Sequence, residues 1–224
     1  MSDSVNIAID GPAGAGKSTV AKLVSEELGF LYIDTGAMYR ALTLAALRKN
    51  VNTLNEIELS HLLSTCHIQL LVDQKGSRVL LNEEDVTEDI RSTEVNQNVS
   101  LVSSYQSVRE EMVERQRQLA IKTNSVLDGR DIGTYVLPNA QLKIFLTASV
   151  TERARRRHEE QLSKGMPSDY EQLKADIAKR DELDSTRAFA PLKKAEDAIE
   201  IDTTTLSISE VAQAITDLAK ERTR

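Results

Sequence analysis

One passage near the start of the chain constrains the fold more than any other: VNIAI, residues 5–9, runs directly into DGPAGAGKSTVAKL. The apolar run reads as a short buried strand. It stops at Asp10-Gly11-Pro12. From 17 to 28 the apolar residues Val20, Ala21, Leu23, Val24 and Leu28 recur at helical spacing, and Gly29 is a natural stop. Between strand and helix, Gly11-Pro12-Ala13-Gly14-Ala15-Gly16-Lys17-Ser18 fits the pattern G-x-x-x-x-G-K-[ST]. Glycines let such a loop turn its N–H groups inward, and the helix N-terminus adds its dipole, which together suit a polyphosphate. Lys17 can bridge the outer phosphates and the Ser18 hydroxyl can join the shell of a Mg²⁺ ion. A glycine-rich turn that carries Lys and Ser by chance lacks the strand before it and the helix after it. The whole passage therefore implies a bound nucleoside triphosphate.

The pattern continues as alternating strand and helix. Residues 30–33 form a second apolar run ending at Asp34-Thr35-Gly36, where Asp34 or Thr35 can cap a helix over about 37–49. Strand, helix, strand, helix with tight connections points to a parallel βαβ arrangement. The middle of the chain departs from it. Residues 67–72 and 78–81 flank Asp73-Gln74-Lys75-Gly76-Ser77, a hairpin signal that suggests a small inserted sheet. Residues 93–122 are charged and amphipathic, with a change of register near Ser103-Ser104-Tyr105, so two helical pieces are expected. Short strands follow at 125–127, ending in Asp128-Gly129-Arg130-Asp131, and at 142–146. A basic helix over 152–164 carries Arg153, Arg155, Arg156 and Arg157 before Gly165-Met166-Pro167 breaks it. Ser168 with Glu171 reads as a capping box for a helix to about Asp181. Residues 198–201 read as a last strand, and Ser207 with Glu210 as a second capping box before a C-terminal helix.

Composition narrows the function classes. The 224 residues carry 28 Lys and Arg against 35 Asp and Glu, a net charge of −7, which argues against a nucleic-acid partner but not against a small phosphorylated ligand in a local basic site. No stretch approaches the roughly 20 apolar residues of a membrane helix, and MSDSVNIAIDG does not read as a secretory signal. One cysteine, Cys66, excludes an intramolecular disulfide framework and fits a cytoplasmic setting; no exposed heptad pattern suggests an oligomer, so a monomer is expected. With three His and one Cys, a structural zinc site is not expected.

A triphosphate site is not yet a reaction. The guanine-reading Asn/Thr-Lys-x-Asp of switch GTPases is absent from the sequence, and the chain is short for a motor ATPase. A kinase for a small acceptor needs positioning, Mg²⁺ and cations around the moving phosphoryl group. Arginines supply the last, because their fork holds phosphate bidentately. Arg40 and Arg130, beside turns and strand ends, stand out, followed by Arg109, Arg180 and Arg187.

With these residues in place, the chain resembles the bacterial cytidylate kinases. The resemblance rests on AIDGPAGAGKST, DTGAMYRA, EVNQNVS with VRE, DGRDIGT, KIFLTAS with RARRR, RDELDSTRAFAPL and IDTTTLSI, in order along nearly the whole chain. It implies an α/β P-loop kinase: a parallel β-sheet core flanked by helices, a small antiparallel sheet inserted in the acceptor-binding domain, and a short lid. The implied P-loop core covers 1–36 and 122–224 with a lid at about 151–166; the implied CMP-binding domain covers 37–121, with the insert at about 62–90. The implied reaction moves the γ-phosphate of ATP to CMP or dCMP with Mg²⁺. Gly11, Pro12, Ala13, Gly14, Ala15, Gly16, Lys17, Ser18 and Thr19 would wrap the ATP phosphates. Arg40, Arg109 and Arg130 would grip the acceptor phosphate. Ser100, Arg180 and Asp184 would read the cytosine, Asp184 would also meet the sugar beside Arg187, and Tyr39 would pack near the base. Asp34 and Asp128 would hold arginines or Mg²⁺-bound water, and Arg153 and Arg157 would close over ATP as lid residues. Lys17, Arg130, Asp128, Arg153 and Arg157 form the implied catalytic set.

The chemistry of these residue types agrees with that reading. A carboxylate complements the amino group of cytosine, and an arginine with a hydroxyl complements its acceptors. Uracil would set a carbonyl against Asp184, so UMP is expected to be a poor substrate. Without the resemblance, Asp184 could equally be a helical i,i+4 partner of Arg180. Arg153 and Arg157 are preferred among the four arginines because i and i+4 share a face. One departure from the family pattern is Ser104-Tyr105-Gln106-Ser107 where a proline is expected before VRE, which bears on the placing of Arg109. A kinase for a sugar, for shikimate or for a different nucleotide, and a nucleotide-binding module without turnover, are the competing readings. A sugar kinase does not require Arg180, Asp184 and Arg187, and a pure binder does not require the cations.

Overall fold

A computed structural model describes residues 4–73 and 76–222. The chain divides into two compact units: the first holds 5–30 and 125–224, the second holds residues 31–124 and the short N-terminal end. In chain order the strands and helices are β1 (Asn6–Asp10), α1 (Lys17–Leu28), β2 (Leu31–Asp34), α2 (Thr35–Arg48), α3 (Glu56–Thr65), β3 (Ile68–Asp73) and β4 (Gly76–Leu81). They continue with β5 (Glu84–Asp85), α4 (Thr93–Val102), α5 (Gln106–Ala120), β6 (Ser125–Gly129), β7 (Leu142–Thr147), α6 (Val150–Ser163), α7 (Tyr170–Thr186), β8 (Ile199–Asp202) and α8 (Ile208–Arg222).

Within the first unit the strands of the sheet run in the order β6-β1-β7-β8. In the first unit β1 pairs in parallel with β6 on one side and β7 on the other, and β8 extends the sheet in parallel from β7. The register sets Ile9 beside Asp128 and Asp10 beside Gly129. The C-terminal ends of β1 and β6 therefore arrive together, at the edge where open α/β sheets bind their ligands. Strands buried on both faces read as continuous apolar runs, and Ile7, Ala8, Ile9, Val126, Leu127 and Leu146 are all fully buried. Helix α1 lies against β6 and α8, its buried Val20, Ala21 and Val24 drawn from the periodic set in the sequence.

The second unit has its own core, with Met38, Leu42, Leu59, Leu63, Ile90 and Met112 among its buried members. Its antiparallel sheet has the order β3-β4-β5, with Ile68 opposite Leu81 and Asp73 opposite Gly76. The hairpin expected between the two strands is present; Gln74 and Lys75 of its turn lie outside the described residues. The two helical pieces expected over 93–122 are α4 and α5, separated at 103–105.

Local chemistry moves some boundaries. Asp34 caps α2, accepting from Ala37 N at 2.8 Å. Helix α7 is capped by Asp169, which accepts from Gln172 N at 3.0 Å, rather than by Ser168, whose hydroxyl lies between His158 Nδ1 at 2.8 Å and Gln161 Oε1 at 2.6 Å. It also runs past the expected end at Asp181 to Thr186, which puts Arg180 and Asp184 on one helix and makes Arg187 its C-cap. The second capping box forms as expected, with Ser207 N donating to Glu210 Oε2 at 2.8 Å and Glu210 N to Ser207 Oγ at 3.3 Å. Helix α3 was not assigned from sequence, although Asn55 caps it by accepting from Ile57 N and Glu58 N.

Candidate active site

In the first unit the loop from Gly11 to Gly16 connects β1 to α1. Gly16 sits at the N-cap of α1 in the left-handed region, with φ 88°, so the first amides of the helix open into the loop. Gly11 has φ 146°, and a Cβ there would lie 2.1 Å from the carbonyl oxygen of Leu146 on β7. Only glycine lets the loop leave the sheet at that point. Lys17 is buried and folds back to donate to the Pro12 carbonyl at 2.7 Å. Burial, reinforced by Arg130, pushes its ammonium well below the usual lysine range, with Asp128 acting in the opposite sense. An anion in the loop would reverse that balance and draw the ammonium onto itself.

Ser18 donates its hydroxyl to Asp128 Oδ2 at 2.8 Å, and Asp128 is buried at the end of β6. The hydroxyl oxygen keeps lone pairs for a cation. Among the described residues no group of three or more His, Cys, Asp or Glu could enclose a metal ion. That donor set fits Mg²⁺, which prefers to keep water and phosphate oxygens around it and takes few protein ligands.

Helix α6 supports the loop from behind. Arg153 is 3% exposed; it donates to Ala148 O and to Ala13 O at 3.0 Å and forks onto Asp181 of α7 at 3.0 and 2.5 Å. Its guanidinium is committed to protein partners in the body of the unit. Arg156 binds Thr203 through its hydroxyl at 3.2 Å and its carbonyl at 2.5 Å, and the Thr203 hydroxyl reaches Ala15 O at 3.3 Å. Arg155 pairs with Glu152 and Glu159 on a solvated face. Arg157 is half-buried and has no hydrogen bond or ion pair among the described residues.

Beyond β6, Arg130 Nε donates to Asp184 Oδ2 at 2.9 Å, and Arg180 Nε stands 4.0 Å from the same oxygen. Burial works against ionisation of Asp184, but Arg130, Arg180 and Arg187 outweigh it and hold the carboxyl below the usual carboxylate range. Arg187 lies 3.4 Å from Asp131 Oδ1 and donates to the Ala190 carbonyl. Phe189 packs edge-on against Tyr135 with ring centroids 4.9 Å apart. Arg130, Arg180, Asp184 and Arg187 are thus assembled in one cluster, of which only the Arg180–Asp184 pairing follows from helical spacing. Asp131 joins it through Arg187, while Asp181 and Thr203 hold Arg153 and Arg156 and Asp10 holds the Ile132 and Gly133 amides; the sequence reading gave these four no role. Asp10 alone had a signal, its position at the C-terminal end of the first strand.

In the second unit Arg40 of α2 donates to Asn96 Oδ1 of α4. Arg109, in the first turn of α5, is 1% exposed, donates to Ser103 O at 2.9 Å, and stacks its guanidinium over the Tyr39 ring 5.4 Å from the centroid. Ser100 lies on α4, half-buried. Asp34 spends one oxygen on the α2 cap.

The chain is 64% identical over 218 residues to a cytidylate kinase of Halalkalibacterium halodurans, covering 97% of this chain and 98% of that one. It is 55% identical over 224 residues to a cytidylate kinase of Bacillus subtilis, covering both chains completely. Among solved structures a gluconokinase of Sinorhizobium meliloti superposes with a TM-score of 0.51 at 13% identity, covering 98% of this chain and 94% of that one, a likeness of fold alone. The model of the cytidylate kinase family matches residues 7–221, and the chain belongs to that family.

Proposed function

We infer that the protein phosphorylates CMP and dCMP with ATP, yielding CDP and dCDP, in pyrimidine nucleotide metabolism. Membership of the family across 7–221 carries the reading. We assign the ATP phosphates to Gly11 through Thr19, with Lys17 neutralising the charge that spreads over the transferring group. Mg²⁺ would be held by the Ser18 hydroxyl, with Asp128 orienting that hydroxyl and the surrounding water. When bound, the ion neutralises phosphate charge and favours in-line geometry. The half-buried, unpartnered guanidinium of Arg157 suits a contact to the triphosphate, as part of a lid at about 151–166.

On the acceptor side we assign the phosphate to Arg40, Arg109 and Arg130 and the base to Ser100, Arg180 and Asp184, with Tyr39 near the ring and Arg187 near the sugar. In domain terms the first unit would hold ATP and residues 37–121 would form the CMP-binding domain. The ionised state of Asp184 supports its role, since only an ionised carboxylate is purely an acceptor for the cytosine amino group. Uracil would leave buried acceptors facing each other, which costs about 1–3 kcal/mol, or about 5- to 150-fold in kcat/KM. We take the enzyme to act as a monomer in the cytoplasm; its single cysteine, buried in the second unit, supports a reducing compartment. ADP release measured with CMP, dCMP, UMP, AMP and shikimate tests the assignment. CMP and dCMP should lead UMP by that margin in wild type, and the gap should shrink in Asp184→Ala. An unchanged gap would remove Asp184 from base reading, and no stimulation by any nucleotide would remove the acceptor assignment.

A further inference from the structure

Asp10 ends β1 one residue before the phosphate loop, is 4% exposed, and makes a contact that none of the roles above uses. Its Oδ1 accepts from Ile132 N at 2.8 Å and its Oδ2 from Gly133 N at 2.7 Å. These amides open a single π-helical turn, Ile132–Val136, that follows Arg130 and Asp131. The first N–H groups of any helical turn lack partners within it and are normally satisfied by the side chain at the N-cap. Here the N-cap is Asp131, and its side chain makes no capping bond. Its carboxylate is turned to Arg187 instead, at 3.4 Å. The capping task falls to a carboxylate 122 positions away in sequence. Gly133 is part of the fit: a Cβ there would lie 3.1 Å from Lys143 Cδ and 3.4 Å from Asp10 Oδ2.

We propose that Asp10 is a positioning residue for the acceptor arginines. By holding the Ile132 and Gly133 amides it fixes the turn that presents Arg130, while the Asp131 carboxylate faces and orients Arg187. The proposal rests on the assignment of Arg130 and Arg187 to the acceptor side. An asparagine at position 10 would offer one acceptor and one donor to two N–H groups. The abandoned amide would then compete for the Asp131 carboxylate and loosen Arg187. Since the phosphate loop is held separately through Ala13 and Ala15, the effect should fall on the acceptor rather than on ATP.

The test is steady-state kinetics on Asp10→Asn, Gly133→Ala and Arg130→Ala, varying CMP and ATP independently, with amide hydrogen exchange followed by NMR. Asp10→Asn should raise KM for CMP at least about tenfold and KM for ATP less than about threefold. Exchange at Ile132 and Gly133 should quicken at least about tenfold relative to Ile9 and Leu127 in the neighbouring strands. Gly133→Ala, which crowds the same contact without altering Asp10, should move both readouts the same way and carries the test if Asp10→Asn does not fold. Equal changes in both KM values, or none, with Arg130→Ala raising KM for CMP, would overturn the positioning role alone. An unchanged KM for CMP in Arg130→Ala would overturn the assignment on which it rests, and the proposal with it.

Discussion

Replacing Gly11 by alanine separates steric cost from conformational cost within one loop. The added Cβ would meet the Leu146 carbonyl oxygen at 2.1 Å, where real Cβ atoms keep at least 3.0 Å. Something must move by about 0.9 Å, and the obstacle is backbone in β7, which is paired on one side with β1 and on the other with β8. No side chain can swing away to absorb it. Overpacking of this kind costs about 1–3 kcal/mol, and the rigidity of a doubly paired strand places it at the upper end. Alanine at a positive φ adds about 1–2 kcal/mol. The sum, about 3–5 kcal/mol, corresponds to a fall in Tm of about 6–20 °C for a chain of this length. Gly16 is the control: its φ is 88°, but a Cβ there meets nothing within 4 Å. Gly16→Ala should therefore lose only the conformational part, about 2–8 °C. Scanning calorimetry of both variants without nucleotide gives the comparison. If Gly11→Ala melts within about 2 °C of Gly16→Ala, the close approach to β7 is not a constraint and the reasoning fails.

Arg153→Lys should lose about 2–4 kcal/mol of stability and raise KM for ATP with little change for CMP, because a lysine cannot span Ala13 O and the Asp181 carboxylate together; an effect on CMP alone would contradict its place behind the phosphate loop. Lys17→Ala should lose about three orders of magnitude in kcat while melting near wild type, checked by calorimetry beside the ADP-release assay. For pH, burial raises the Asp10 carboxyl from 3.8 to about 7, above its unfolded value, so the stability it lends in acid is lost as pH rises from about 4 to about 7. Asp184 has the opposite sign: held below 3.8 in the folded state despite its burial, it lends stability above that value that is lost as pH falls. Urea unfolding from pH 3.5 to 7.5 should therefore show Asp10→Asn flattening the upper part of the profile and Asp184→Asn the lower, and an unaltered slope in Asp10→Asn would refute the first sign.

What could be read from the sequence was what depends on near neighbours. The strand, loop and helix around Lys17 are specified within about two dozen residues, and α1 spans the expected 17–28. Arg180 and Asp184 are one helical turn apart, so their partnership follows from helical periodicity. The small antiparallel sheet was visible because a hairpin is a local object. The four arginines of α6 were not separable in this way. Arg153 is buried because Asp181, 28 residues on, and Ala13, 140 residues back, both converge on it, while Arg155 beside it stays in solvent. Pattern alone favoured Arg153 and Arg157 as a pair, and only packing distinguishes the committed guanidinium from the unpartnered one. The cap on the 132–136 turn shows the same limit: Asp131 stands at the place where a local cap belongs, yet the capping carboxylate comes from β1. The exchange of Ser168 for Asp169 at the head of α7 is a smaller case, in which two adjacent cap-forming residues compete and the His158 ring decides.

The carbonyls of Ala13 and Ala15, gripped by Arg153 and Thr203, bear on more than the stability of the loop. A trans peptide plane carries its C=O and the following N–H on opposite sides. To pin the Ala13 and Ala15 carbonyls outward is therefore to aim the Gly14 and Gly16 N–H groups inward, before any anion arrives. Three glycines would otherwise leave this segment with the largest backbone entropy in the chain, and a ligand would have to extinguish it on binding. Helix α6 and the segment after β8 have already done so as part of folding. A triphosphate bound as proposed would meet dipoles that are already aligned, and its binding free energy would remain available for steering the terminal phosphoryl group.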